Sequence, residues 1–135
     1  MIVTVGGYLI DAKKGRVQFA ALINPNVEAL KSRLEEFSNN RSGALVARLE
    51  PPAEVGPSRL RLYVDGFKYL LMLEENAEDG EGLVRTLTTS TERGLVPVLG
   101  EPYPISAITS DFSLVSQLFM DFVMLGDISR EIMRD

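Results

Sequence analysis

The chain has 135 residues, with 14 Lys and Arg against 19 Asp and Glu, a formal net charge of −5, and no His, Cys or Trp. Without His or Cys, the usual ligand sets for zinc, haem, iron–sulfur clusters and copper are missing, as are Ser–His–Asp and Cys–His nucleophile arrangements. The length, with 45% hydrophobic and 24% charged residues, points to a single globular domain over 1–135 that buries roughly two-thirds of its unfolded surface.

In chain order, Ile2 to Asp11 and Arg16 to Ile23 are rich in Val, Ile, Phe and Tyr and read as a hairpin closed by Ala12-Lys13-Lys14-Gly15. The Gly6-Gly7 pair inside the first strand suggests a bulge or a close backbone approach. Asn24 then serves as an N-cap with Pro25 at the first helical position, and Val27, Leu30, Leu34 and Phe37 recur on one helical face. Asn39, Asn40 and Gly43 end that helix. Ala44 to Glu50 forms a short strand. Arg59 to Val64 and Phe67 to Leu73 flank Asp65-Gly66, which predicts a type I′ hairpin. In the first of these, Arg59, Arg61 and Tyr63 alternate with Leu60, Leu62 and Val64, giving one wet face and one dry face.

Glu74 to Gly82 reads as an acidic loop, Leu83 to Ser90 as a strand, Leu95 to Leu99 as a short strand, and Pro102 and Pro104 as irregular chain. The last segment predicts a long apolar helix from an N-cap at Ser110 to Gly126, followed by a helical turn or two from Asp127 that contains Ile128, Ile132 and Met133. The expected fold is therefore α+β: an antiparallel sheet of about six strands, with one inserted helix and a C-terminal helical segment covering one face.

Charge is unevenly distributed. Residues 1–49 are net basic, whereas residues 50–81 and 101–135 are net acidic. Phosphate contacts need clustered Lys and Arg, so this balance argues against a nucleic-acid partner and for a basic protein partner. The N-terminus has no basic segment followed by a long apolar one, and no window is apolar enough for a membrane span, so the expectation is a soluble cytoplasmic protein without a membrane partner.

The acids Glu74, Glu75, Glu78, Asp79 and Glu81 invite a calcium-loop reading, but with Gly80 as the turn glycine the twelfth position is Thr86, where a bidentate Glu is required. The same residues read better as a solvated loop that meets a basic surface. On the C-terminal helix, Met120 and Met124 fall on the polar face beside Asp121 and form a candidate partner-contact strip, or a homodimer seam, if that face is not covered. No residue pattern implies a catalytic group, cofactor or metal. The least implausible enzyme set uses Glu50, Arg61, Tyr63 and Arg85, which lie on predicted strands.

The stretch Asp111-Phe112-Ser113-Leu114-Val115, with Phe119 and Phe122 and the Gly126-Asp127-Ile128-Ser129 step, resembles the C-terminal end of small acidic immunity proteins of bacterial polymorphic-toxin systems. That resemblance implies a non-enzymatic protein that binds a cognate toxin, often a basic nuclease, and occludes its active site. The favoured reading is a cytoplasmic protein-binding module of this kind. A small carboxylate, Tyr and Arg enzyme and a homo-oligomeric structural protein remain as alternatives.

Overall fold

The computed structural model describes residues 2–38, 41–128 and 133–134. Its elements are β1 (Ile2–Asp11), β2 (Gly15–Gln18), β3 (Leu22–Ile23), α1 (Val27–Glu35), β4 (Ser42–Glu50), β5 (Gly56–Asp65), β6 (Lys68–Asn76), β7 (Gly82–Leu87), β8 (Leu95–Val98) and β9 (Glu101–Pro104). A short 3-10 turn, Ile105–Ala107, follows, then β10 (Ile108–Thr109), α2 (Phe112–Leu125) and β11 (Met133–Arg134). The strands form an antiparallel sheet in the order β11-β7-β6-β5-β4-β1-β2, with β3 added to β1 and β10 to β6, while β8 and β9 make a separate two-stranded arm. The fold is α+β, as expected, and the sheet is larger than the six strands read from the sequence.

Alternation divides the sheet into two faces. On one face Val5, Leu45, Ala47, Leu60, Leu62, Val64, Leu71 and Leu73 are buried under α1, which contributes Leu30 and Leu34, and α2, which contributes Val115, Leu118, Phe119, Phe122 and Val123. Phe37, just beyond α1, joins this core. Full burial of each such side chain is worth about 1.5–3 kcal/mol, so this layer supplies the main cohesion. α2 is apolar enough to be held by packing, and it is closed at both ends by its own sequence. Asp111 Oδ1 accepts from the Leu114 N–H at 3.1 Å, and the Gly126 N–H, in left-handed backbone, donates to Phe122 O at 2.7 Å.

Several local expectations shift. The N-cap of α1 is Asn26, whose side chain accepts from the Ala29 N–H, whereas Asn24 takes a left-handed conformation and binds the Val3 N–H. The cap of α2 is Asp111 rather than Ser110. The β1–β4 ladder runs without a register break, so Gly6-Gly7 marks no bulge. At Gly7, a Cβ would stand 2.0 Å from Ala44 O, so the close backbone approach is real and belongs to that residue. In the β5–β6 turn Asp65 pairs with Lys68, leaving Gly66-Phe67 as the two central residues with positive φ at Gly66 alone. That is the pattern of a type II′ turn, not I′.

The arm supplies the residue pair with positive φ at both central positions, Leu99-Gly100. Pro102 and Pro104, read as irregular chain, lie in a strand: Pro102 faces Pro97 and Pro104 faces Leu95. A two-stranded ribbon tolerates this because half of its N–H groups point outward and have no ladder partner to lose. At the C-terminus, Met133 pairs with Leu87 of β7 as a strand residue and is fully buried, in place of the helical turn expected there. Asn39, Asn40, Ser129 and Ile132 lie outside the described residues.

Candidate functional site

The face of the sheet opposite the helices is the most chemically distinctive surface. Its side chains lie in rows that follow from the register. One row runs Gln18, Tyr8, Ala44, Tyr63, Leu70, Ile108, the next Gly6, Val46, Arg61, Met72, Thr86, and the third Thr4, Arg48, Arg59, Glu74, Val84. The β8–β9 arm covers one end, where Leu70, Val98, Ala107 and Ala44 are buried. It is held by the Leu99 N–H donating to Asp65 Oδ2 at 3.0 Å, by Lys68 Nζ on Pro97 O, and by Tyr103 packed edge-on to Tyr63 with ring centroids 6.3 Å apart.

The uncovered remainder carries tyrosines and arginines. The Arg16 guanidinium lies over the Tyr8 ring at 3.9 Å, a cation–π stack across β1 and β2. Glu74 is shared by two arginines: Arg59 forms a two-pronged pair with it, and Arg61 Nε lies 3.2 Å from Oε2. Arg61 also donates to the Tyr63 hydroxyl at 3.2 Å. Burial pulls the Arg61 guanidinium down, but the bond to Tyr63 and the charge of Glu74 outweigh it, so it sits above its ordinary value. The Tyr103 phenol is pushed up by burial and by the neighbouring phenols and Glu101, against a smaller opposing effect of Arg61. The result is a platform of stiff aromatic rings and oriented guanidinium groups, carried by β1, β2, β5 and β6 of the sheet and by β9 of the arm.

The acidic residues singled out in the sequence separate. β6 continues to Asn76, so Glu74 and Glu75 are strand residues with opposite facing. Glu74 belongs to the platform just described. Glu75 points to the helix side, is buried at 6% exposure and is paired with Arg85, which corrects its place in an acidic loop. Only Glu78, Asp79 and Glu81 occupy the exposed turn, which is closed by the Ala77 N–H to Glu81 O and the Glu81 N–H to Asp79 Oδ1.

On α2, Met120 is half-buried against the core and lines a cleft of about 270 Å³ between the two helices with Leu34, Phe112 and Ser116. Asp121 accepts from Gln117 Nε2 at 2.8 Å, while Met124 and Leu125 are exposed. The methionine strip is thus split, one member in the helix–helix seam and the other in solvent. The enzyme set divides as well. Arg61 and Tyr63 meet, Arg85 lies on the opposite face with Glu75, and Glu50 is four residues along β4 from Val46, the residue opposite Arg61.

A family model spans residues 2–132, nearly the whole chain. The chain belongs to DUF6911, a family of unknown function. It is also similar to a hypothetical protein from Neisseria gonorrhoeae of known crystal structure, with 27% identity and a TM-score of 0.84 over 96% of this chain and 91% of that one. No curated protein matches the chain. Among the described residues no helix is long and apolar enough to cross a membrane.

Tyr8, Arg16, Arg48, Arg59 and Tyr103 were not reached from the sequence as one site, because they come from five strands. The alternation of Arg59, Arg61 and Tyr63 was the visible part of the signal. Register supplied Tyr8, Arg16 and Arg48, and docking of the arm supplied Tyr103.

Proposed function

We propose that this protein is a non-catalytic protein-binding module of the immunity type, and that it engages its partner through the open face of the sheet. The observation that carries this reading is the platform of Tyr8, Arg16, Arg59, Arg61, Tyr63 and Tyr103. Tyrosine and arginine dominate binding energy at protein interfaces because they offer large, stiff contact area together with oriented hydrogen-bond donors. Here the rings and guanidinium groups are already ordered by one another, through the Arg16–Tyr8 stack, the Tyr63–Tyr103 contact and the Glu74 cluster. Little side-chain entropy is then left to lose on association. The resemblance of the C-terminal segment to immunity proteins agrees with this reading. In it α2 seals the core behind the sheet rather than touching the partner.

The test is capture from native lysate on immobilised wild-type protein and on Tyr63→Ala, after far-UV circular dichroism and melting have shown both to be folded. The expected result is one protein retained in stoichiometric amount by the wild type and lost from Tyr63→Ala. Equal retention by both, or none by either at low or high salt, contradicts the proposal.

A further inference from the structure

The third row of the open face contains an arrangement that folding alone does not favour. Arg48 on β4 stands directly opposite Arg59 on β5, with side chains on the same face, and Arg61 follows one pair further along β5. Like charges opposite each other across an antiparallel pair are destabilising. Arg59 and Arg61 are offset by Glu74, but among the described residues no carboxylate lies within 4 Å of Arg48, which is exposed. A protein of net charge −5 thus gathers three arginines around one carboxylate on its open face, with Arg48 left without an ion-pair partner among the described residues.

We infer that Arg48, with Arg59 and Arg61, receives carboxylates from an acidic segment of a protein partner. This inference rests on the open face being the binding surface and specifies what binds there. Guanidinium groups match carboxylates through paired N–H donors, as Arg59 already does with Glu74, and an incoming carboxylate beside Arg48 completes an alternating Arg and Glu lattice across β4, β5 and β6. A nucleic-acid backbone fits less well. It presents unbroken negative charge, whereas Glu74 interrupts the basic row, Glu50 lies two residues from Arg48 on the same face of β4, and the molecule as a whole carries a net charge of −5. The partner chemistry differs from the basic surface anticipated from total charge, because Glu74 and Glu75 are neutralised by arginine and Glu78, Asp79 and Glu81 are gathered in the β6–β7 turn, away from this row.

The experiment follows the arginine Nε–H signals of isotopically labelled full-length protein while hexaglutamate, or a ten-residue oligothymidylate, is added. Hexaglutamate is expected to shift the Arg48, Arg59 and Arg61 signals with millimolar affinity, and Arg48→Gln to weaken that binding at least threefold. In the absence of peptide, Arg48→Gln is also expected to raise the melting temperature at low salt, with the gain shrinking as salt screens the repulsion. Unmoved arginine signals with hexaglutamate, or larger shifts at lower concentration with the oligothymidylate, overturn the inference. If Tyr63→Ala abolishes capture of the cellular partner while Arg48→Gln leaves it unchanged, the inference fails and the binding reading stands.

Discussion

Leu99 adopts φ of 52°, a left-handed conformation that costs a non-glycine residue about 1–2 kcal/mol. Its N–H is fixed by the Asp65 carboxylate, so one side chain on β5 holds the strained tip of the arm and, through it, Tyr103. Asp65→Ala is expected to lower stability by about 1–2 kcal/mol, seen as a lower urea midpoint, and to speed amide exchange at Leu99. Adjacent glycines make a second comparison. A Cβ at Gly7 meets Ala44 O at 2.0 Å with φ of 143°, whereas one at Gly6 meets nothing within 4 Å. Gly7→Ala therefore should cost about 3 kcal/mol or more, and Gly6→Ala less than about 1, by denaturant unfolding. Titration adds a third expectation. Burial raises the phenols of Tyr69 and Tyr103 above the ordinary tyrosine value. The unfolded chain then releases these protons first as pH rises. The stability that the neutral phenols contribute is complete below about pH 10 and is lost as pH climbs through their folded values. Melting temperature measured from pH 8 to 11 should fall across the upper part of that range, and Tyr103→Phe should flatten the fall.

At the scale of elements, the two helices and the β6–β7 edge hold the platform from behind. Leu118 and Phe122 of α2 are buried in the core, so truncation of either to Ala is expected to cost about 3–4 kcal/mol in chemical unfolding, while Met124→Ser, in solvent, should change little. Glu75 is buried against a partly exposed Arg85, and Glu75→Ala is expected to cost about 2 kcal/mol, less than the loss of a partner from a fully buried pair because Arg85 retains some access to water. Elements defined by local periodicity were legible in the sequence. Leu30, Leu34 and Phe37 mark α1, the apolar run from Phe112 marks α2, and the alternation of Arg59, Arg61 and Tyr63 gives the facing of β5. Caps and turns moved by one or two residues because Asn24, Asn26, Ser110 and Asp111 are all competent caps, and the choice among them depends on tertiary partners such as the Val3 N–H. Glu74 and Glu75 were misread as loop because their charge, favourable for a solvated turn, is offset by arginines that only cross-strand pairing brings near.

For the whole molecule, the sheet divides into a helix-covered face and an open face, and the open face is the proposed binding surface. Net charge describes the molecule poorly. Arg16, Arg48, Arg59 and Arg61 share the open face, while Glu78, Asp79 and Glu81 form an exposed acidic turn at one end of the β6–β7 hairpin. Association through the open face with an acidic partner should slow as ionic strength rises. The platform was invisible in the sequence as a whole because its residues, up to 95 positions apart from Tyr8 to Tyr103, come from five strands that are joined by register in the main sheet and, for β9, by the docking of the arm. The most direct measurement is the dissociation constant of the captured partner, determined by calorimetry for the wild type, Tyr63→Ala and Leu125→Ser. Binding through the open face predicts at least roughly 30-fold weaker affinity for Tyr63→Ala, the loss of an interface anchor, and no change for Leu125→Ser on the exposed end of α2. Unchanged affinity in Tyr63→Ala together with a loss in Leu125→Ser would contradict it and place the interface on the helices.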